Sequence, residues 1–301
     1  MRIAVTGSSG LVGSGLLSSL AAGGHRVTRI VRPRTQPGPG QIVWDPEAGR
    51  IDPADLEGFD GVVHLAGENI AAGRWTPERK VLLRESRVKS TRLLAGTLVR
   101  LSRPPRVLVS ASATGYYGDR GDELLTEASP SGSGFPPDLC RDWEGAAAIA
   151  AENGIRTVTL RLGVVLSPAG GALARMLPPF KLGLGGPVGS GRQYMSWIAL
   201  DDAAGVIQHV LTNDGLRGPV NAVAPGAVSN REFTRTLSRV LGRPAFFAVP
   251  PFVLRLALGE MADALLLASV RAAPAKLEAS GYRFLYPELE GALRHLLSRA
   301  R

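Results

Sequence analysis

A glycine-rich turn near the N-terminus constrains this chain more than any other feature. The strand-like run RIAVTG leads into the turn TGSSGLVG (residues 6–13), and a helical pattern follows over 11–22. Glycine is needed where a chain turns tightly, where backbone approaches a ligand closely and where a helix packs against a strand. A helix that begins at such a turn directs its free N–H groups at any phosphate bound there. The pattern therefore predicts a phosphate-binding turn inside a βα unit.

Short apolar runs alternate with helical patterns through the first half of the chain. The runs are HRVTRIVR, VVHLAG, PRVLVSASA and RTVTLRLGVVL, and the longer helices are predicted over 77–101 and 139–153. This alternation is typical of parallel βαβ units whose strands are buried on both faces. We therefore predict an α/β fold of the Rossmann type, a doubly wound parallel sheet that binds a dinucleotide. The turn residues expected to contact it are Gly7, Ser9, Gly10, Leu11, Val12 and Gly13.

The composition changes after Ser167, where the glycine- and proline-rich loops PAGGAL and GLGGPVGSG begin. We expect residues 1–166 to form the dinucleotide-binding domain. A helical pattern over 201–212 and the strand-like run GPVNAVAP predict that 198–225 returns to it. The segments 167–197 and 226–301 are then expected to form a smaller, mainly helical C-terminal lobe that meets the substrate or a partner.

The end of the second predicted strand indicates which dinucleotide is bound. An acidic residue there bonds the ribose 2′-hydroxyl of NAD, whereas a basic residue accepts the 2′-phosphate of NADP. This chain has Val31-Arg32-Pro33-Arg34 at that place, and no Asp or Glu precedes Asp45. The charge pattern predicts NADP(H), with Arg32 as the candidate for the phosphate. A solvated surface arginine is the alternative, and it applies more to Arg34.

The net charge of +9 does not by itself predict a nucleic-acid partner. The basic residues are scattered, and they include only four lysines: Lys80, Lys89, Lys181 and Lys276. No run of five basic residues occurs, and net charge alone is a weak sign of function. We expect a small-molecule substrate, no nucleic acid, and a homodimer as one possible assembly.

Cysteine, histidine and apolar patterns set further expectations. A single cysteine, Cys140, cannot form an intramolecular disulfide, and the N-terminus lacks a secretion signal, which favours a cytoplasmic location. The four histidines are isolated, so no metal site is predicted, and His64 is expected to pack within a strand. The stretch 252–270 is interrupted by charged residues. It predicts a core or interface helix rather than a membrane span.

Several longer strings resemble a known family. The turn TGSSGLVG and the runs VVHLAG and SASATGYYG resemble the extended short-chain dehydrogenase/reductase superfamily, which includes nucleotide-sugar epimerases and dehydratases. The strings LAGENI, SRVKSTRLL, LCRDWE, GLGGPVGSGRQ, WIALDD and SNREFTRTL resemble its uncharacterised "epimerase family" subgroup, which has a distinctive C-terminal domain. The resemblance implies that further residues line the cofactor site: Leu65, Ala66, Gly67, Arg87, Ser110 and Val164.

The chain departs from that superfamily where the chemistry is done. Its enzymes pass a proton through a Tyr-x-x-x-Lys pair, helped by a Ser or Thr on the fifth strand. Ser112 matches the serine and is the candidate catalytic residue, but Pro136 and Cys140 stand where Tyr and Lys are expected. Cys140 is either an activated thiol beside Arg141 or a buried structural cysteine.

The substrate region departs as well. Met195 stands where nucleotide-sugar enzymes of the superfamily carry a diphosphate-binding arginine, so a nucleotide sugar is not the expected substrate. Trp197 beside it either shapes an apolar pocket or belongs to the core.

Two functions follow from these features. The first is an NADP(H)-dependent oxidoreductase or epimerase that acts on a small carbonyl or hydroxyl compound with an altered proton donor. The second is a catalytically inactive protein that senses NADP(H) and regulates a partner. The resemblance connects this second function to cell division, because some members of the subgroup are linked to it by name.

Overall fold

The computed structural model describes residues 1–33, 38 and 40–298. Its strands are β1 (Arg2–Thr6), β2 (Arg26–Val31), β3 (Gln41–Asp45), β4 (Arg50–Ile51), β5 (Gly61–His64), β6 (Val107–Ala113), β7 (Leu124–Leu125), β8 (Arg156–Leu162), β9 (Val164–Leu166), β10 (Tyr194–Met195), β11 (Trp197–Ala199), β12 (Gly218–Ala222), β13 (Val228–Ser229) and β14 (Arg271–Ala272). Its helices are α1 (Leu11–Ala22), α2 (Pro77–Leu98), α3 (Phe135–Glu152), α4 (Gly171–Lys181), α5 (Leu200–Thr212), α6 (Asn230–Leu241), α7 (Pro251–Leu258), α8 (Glu260–Ala262), α9 (Ala275–Ala279) and α10 (Leu289–Ser298).

Eight of these strands form one sheet, in the order β12-β8-β6-β5-β1-β2-β3-β4. Neighbouring strands are parallel except at the edge, where β4 is antiparallel to β3. The chain runs outward from β1 to β2 and β3, then crosses to place β5 on the other side of β1. Ligands of open α/β sheets bind outside the carboxyl ends of the strands where the order reverses. The predicted doubly wound sheet is confirmed, and its switch point lies between β1 and β5.

The two faces of the sheet carry separate cores because strand side chains alternate in direction. Ile3 and Val5 pack into the core that contains residues of α1 and α5, whereas Ala4 packs into the core that contains residues of α2 and α3. On β5, Val63 packs into the core with α1 and α5, and Val62 packs into the core with α2 and α3. Helices therefore cover both faces, which leaves the carboxyl edge of the strands open to loops and ligands.

Helix α3 begins four residues earlier than the pattern predicted. The prediction placed its start near Leu139, but the helix begins at Phe135, and Pro136 and Pro137 lie in its first turn. Proline is tolerated there because the first-turn N–H groups have no intrahelical partner. The two prolines are therefore compatible with the beginning of α3 and do not interrupt the helix. Helix α2 begins at Pro77 as expected and ends at Leu98, three residues before the predicted end.

The C-terminal part has a core of its own, formed by residues from α4, α6, α10, β9 and β11. Helix α7 contributes no buried residue, and the predicted helix over 252–270 breaks into α7, α8 and a π-helical turn at Asp263–Leu267. The proposed lobe boundaries at 166/167, 197/198 and 225/226 stay a prediction. No helix within the described ranges combines the length and apolarity that crossing a membrane requires.

Candidate functional site

The glycine turn lies at the switch point and packs against the backbone that follows β5. Gly7 has φ +65°, and a Cβ atom there would lie 2.6 Å from the carbonyl carbon of Leu65. At Gly13 a Cβ atom would lie 2.2 Å from the carbonyl oxygen of Gly7. Both distances are too short for a side chain, because the neighbouring atoms are backbone. Glycine at these two positions therefore allows β1, the turn and α1 to close around a narrow space.

The start of α1 offers free donors to that space. The first intrahelical bond of the turn joins the N–H of Ser14 to the carbonyl of Gly10, at 2.9 Å. The N–H groups of Leu11, Val12 and Gly13 donate to no residue in the described part of the chain. The first turn also lacks an acidic side chain. Open N–H groups at a helix N-terminus attract an anion, so this turn fits the pyrophosphate of a dinucleotide.

A buried polar network fixes the two strands beneath the turn. The Thr6 hydroxyl accepts the N–H groups of Leu65 and Ala66 at 3.2 and 3.3 Å, so its proton goes to His64 Nδ1, 2.7 Å away. His64 Nε2 then carries the ring proton and donates to the Thr91 hydroxyl at 2.9 Å. Burial lowers the pKa of His64 to about 3, so the ring is neutral. The prediction that His64 packs within a strand is confirmed.

Two arginines of the second strand region contact the segments that follow β1 and β5. Arg32 follows β2, its side chain is 59% exposed, and its Nη1 lies 3.7 Å from a Glu68 carboxylate oxygen. Arg29, within β2, donates from Nε to the Ser8 hydroxyl at 3.0 Å. Sequence reasoning did not single out Arg29 because nothing local signals that its side chain reaches the turn. Arg34 lies outside the described residues.

Arg87 shapes the loop that follows β5. Its guanidinium donates to the carbonyls of Leu83 and Glu68, at 3.0 and 2.9 Å, and stacks over the Trp143 ring at 5.0 Å. Burial lowers its pKa below the usual range. A Cβ atom at Gly67 would lie 3.4 Å from the Arg87 guanidinium carbon. Arg87 thus fixes the backbone at Gly67 and Glu68 after β5, and its assignment to the cofactor site stays a prediction.

Ser112, the candidate catalytic residue, is 2% exposed and bonded to a buried ion pair. Its hydroxyl donates to Glu144 at 2.7 Å. Glu144 is held by Arg161 through two N–H···O bonds of 2.9 Å, and Arg161 also donates to the Tyr117 hydroxyl at 3.0 Å. Burial alone would lower the pKa of Arg161, but the bonds and charge of Glu144 raise it instead. To donate a proton to a substrate, Ser112 must first release Glu144.

The positions expected for the Tyr-Lys pair lie on α3 close to Ser112. Pro136 packs against the turn after β6, where a Cβ atom at Gly115 would lie 3.4 Å from it. Cys140 is 4% exposed, and burial raises the pKa of its thiol to about 12. This supports the buried structural cysteine over the activated thiol. The Tyr116 ring is covered by the Arg161 guanidinium at 3.4 Å.

The remaining predicted positions lie on separate strands. Ser110 is buried on β6 opposite His64 in the sheet register, and Val164 is half-buried on β9 beside Trp197. Trp197 is fully buried in the C-terminal core, which resolves its two interpretations in favour of the core. Met195 is half-buried and packs against that core. No cluster of three or more potential metal ligands was found among the described residues.

Comparison with known proteins identifies relatives across the whole chain. The Epimerase family protein Mb2239 of Mycobacterium bovis is 43% identical over 297 residues, covering 99% of this chain and 98% of that protein. The crystal structure of human epimerase family protein SDR39U1 (isoform2) with NADPH is 38% identical, with a TM-score of 0.92 and 99% of both chains covered. The structure of UDP-glucose 4-epimerase of Thermus thermophilus in complex with NAD is 22% identical, with a TM-score of 0.77. The match covers 99% of this chain and 98% of the epimerase, which shows that the two share the fold.

Two family models match separate parts of the chain. Residues 249–296 match a domain of unknown function, DUF1731, and residues 3–222 match the NAD dependent epimerase/dehydratase family. The resemblance identified from the glycine turn and the longer strings is thereby confirmed. The chain belongs to the NAD dependent epimerase/dehydratase family.

Proposed function

We propose that this protein binds NADP(H) at the switch point, with the pyrophosphate on the glycine turn. The observation that carries the proposal is the start of α1, where three N–H groups donate to no described residue and no acidic side chain competes with an anion. The human relative was crystallised with NADPH, and 38% identity over 99% of both chains supports the same nucleotide here.

The preference for the phosphorylated nucleotide rests on Arg32. Its pair with Glu68 is long and exposed, and such pairs contribute at most about 1 kcal/mol. Arg32 can therefore exchange Glu68 for a 2′-phosphate at little cost, while Arg79 stays 3.8 Å from the same carboxylate. A carboxylate left beside a 2′-hydroxyl would favour NAD, so the balance between Arg32 and Glu68 sets the selectivity.

The bound nucleotide acts through regulation in this proposal. Ser112 is bonded to Glu144, and Pro136 and Cys140 replace the proton-transfer pair. The loop after β5 and the first turn of α2 also contact the C-terminal helices directly. Arg74 donates to the carbonyl of Ala257 at 2.9 Å, and Lys80 pairs with Glu260. A structural change caused by nucleotide binding at the switch point can therefore be transmitted through these contacts to α7 and α8. From those helices it can affect a partner or a second copy of the chain.

Catalysis is the second candidate, because a serine is retained at the end of β6. In that case bound NADPH would supply the hydride for a small carbonyl compound, and Ser112, once it leaves Glu144, or Tyr116 would donate the proton to the carbonyl oxygen. A carbonyl of this kind must reach both the nicotinamide and the donor, at hydrogen-bond distance of roughly 3 Å from the latter.

Calorimetric titration of nucleotide-free protein with NADPH, NADP, NADH and NAD tests the binding proposal. We expect the phosphorylated forms to bind more tightly, and Arg32→Ala to reduce that difference. Gly13→Ala should weaken every nucleotide by at least tenfold, or about 1.4 kcal/mol. Gly96→Ala in α2 is the matched control and should bind normally, because a Cβ atom there would meet only the end of the Arg100 side chain, at 3.9 Å. Binding of none of the four nucleotides to the native protein would overturn the proposal.

The two roles separate in a second experiment. Regulation predicts that NADPH and NADP give different hydrogen-exchange protection in α7 and α8, without turnover of small aldehydes or ketones. Catalysis predicts NADPH oxidation that depends on the carbonyl compound and decreases in Ser112→Ala. Identical protection with both nucleotides would remove the regulatory role.

A further inference from the structure

Arg29 stands out because it is a cation directed at the glycine turn from inside a strand. It pairs with Val5 in the β1–β2 register and lies two residues before the end of β2. Val5 belongs to the core on the α1 face, and residues paired across a sheet share a face, so Arg29 projects beside α1. Its Nε donates to the Ser8 hydroxyl at 3.0 Å, and Ser8 is 4% exposed. The guanidinium therefore lies between the turn and the end of β2.

Arg29 and Arg32 differ in how their charge is held. Arg32 is mostly exposed and is partly neutralised by Glu68. Arg29 is half-buried, and no described carboxylate lies within ion-pair distance of it. The bond from Nε to Ser8 fixes the plane of the Arg29 guanidinium. The two Nη groups, which form the fork of the guanidinium, have no acceptor among the described residues. A fork that is already oriented loses less conformational entropy when it binds an anion.

We propose that Arg29 is a second cation for the 2′-phosphate of NADP(H), oriented by Ser8 and acting together with Arg32. This inference rests on the proposed NADP(H) function and adds a residue that determines nucleotide selectivity. A phosphate between the turn and the end of β2 would meet the Arg29 fork from one side and the Arg32 side chain from the other. Arg32 would move to it from Glu68, whereas Arg29 would already be in place.

The test uses two adenosine fragments that differ only in the 2′-phosphate, 2′,5′-ADP and 5′-AMP, titrated calorimetrically. Arg29→Leu removes charged hydrogen bonds to the 2′-phosphate, and their contribution to the binding free energy is large enough that the preference for 2′,5′-ADP should decrease by about tenfold. The affinity for 5′-AMP should change less than about twofold, because a fragment without the 2′-phosphate makes no use of this charge. Arg29→Lys keeps the charge but loses the fork, so it should restore only part of the preference.

Two further variants separate charge from structure. Ser8→Ala removes the bond that orients the fork and keeps the charge, so the preference should decrease less than in Arg29→Leu. Arg26→Leu removes an exposed cation from the same strand and is the matched control, with the preference unchanged.

The possible failures are distinguishable. Equal weakening of 2′,5′-ADP and 5′-AMP in Arg29→Leu would mean that Arg29 only supports the turn, and the inference would be wrong. An unchanged preference in Arg29→Leu would also overturn it, while leaving the NADP(H) proposal intact. A native protein that binds both fragments equally would contradict the preference for NADP(H) itself, and this inference with it.

Discussion

The two halves of the carboxyl edge of the sheet use their polar groups in opposite ways. On the β1–β2 side, the first N–H groups of α1 donate to no described residue and Arg32 pairs only loosely with Glu68. On the β6–β8 side, Ser112 and Arg161 are buried, and both donate to the carboxylate of Glu144, whose side chain is 15% exposed. The first half keeps donors open for a ligand. In the second half, the hydroxyl of Ser112, the candidate catalytic residue, is bonded to a side chain of the fold.

Charge separates the two halves further. Beneath the turn, Thr6, His64 and Thr91 form a neutral network, because burial keeps the histidine unprotonated. Across the sheet, Glu144 and Arg161 form a buried ion pair. Removing one partner of a buried ion pair leaves an uncompensated charge, whereas removing a hydroxyl from a neutral network leaves an unpaired dipole. The β6–β8 half should therefore respond more strongly to single substitutions.

The largest effect is expected for Glu144→Gln. Arg161, whose side chain is 3% exposed, would lose its counter-charge, and breaking such a pair costs about 3–5 kcal/mol in the free energy of unfolding. Urea denaturation measures this cost. The control is Glu85→Gln, which breaks the exposed Glu85–Lys89 pair and should cost about 0.5 kcal/mol or less. Equal effects of the two variants would mean that the ion pair is open to solvent and that the contrast between the halves is wrong.

A smaller effect is expected for Thr91→Val in the neutral network. The valine would leave the N–H groups of His64 and Trp143 without their acceptor, at a cost of about 1–3 kcal/mol. Thr97→Val, also buried on α2, is the matched control, because among the described residues the Thr97 hydroxyl bonds only the Leu93 carbonyl. Chemical denaturation of both variants should rank Thr91→Val as clearly more destabilised. The reverse order would contradict the tautomer assigned to His64.

The pH dependence of the free energy of unfolding should report the protonation of His64. Its pKa is about 3 in the folded protein against 6.5 for the free side chain, so the unfolded chain binds the extra proton as pH falls below 6.5. Stability should then decrease toward acid by about 1 kcal/mol per pH unit between pH 6.5 and 5. His64→Gln removes this contribution, so the difference in slope between the two proteins isolates it from other groups. Parallel slopes would mean that His64 is protonated in the fold.

The smallest effect is expected at Cys140. A thiol with a pKa near 12 and 4% exposure should not react with a thiol reagent at pH 8 in the folded protein. Labelling should appear only as denaturant unfolds the chain. Because this is the only cysteine, the count of labelled thiols is a direct readout. Rapid labelling of the native protein would show that the region around Ser112 is accessible, which would favour the catalytic function.

The features predicted correctly from sequence are those whose cause is local. The glycine turn and the bounds of α1, at 11–22, follow from glycine spacing and apolar periodicity within one short segment. The buried strands follow from continuous apolar runs. The predicted start of α3 at Leu139 lies four residues after the observed start at Phe135, and the residues missed include two prolines, which a helix accepts in its first turn.

The hydrogen bonds that position the side chains of the candidate site connect residues that are far apart in the sequence. Glu144 and Arg161 are 17 residues apart, His64 and Thr91 are 27 apart, and Arg29 is 21 residues from Ser8. No periodicity marks such pairs, since each residue alone resembles an ordinary surface or strand residue. They become visible only when the sheet order brings β2 beside β1, β5 over α2, and β8 beneath α3.

The family, the sheet of the Rossmann type and the place of the phosphate-binding turn follow from the sequence alone, because backbone conformation and hydrophobic alternation depend on neighbouring residues. The sequence also shows that the usual Tyr-Lys pair is missing. The use of the polar groups depends on the folded arrangement: they are open at the start of α1, neutral beneath the turn, and ion-paired around Ser112. Burial and distance control hydrogen bonding and protonation, and both are properties of the assembled sheet rather than of any one segment.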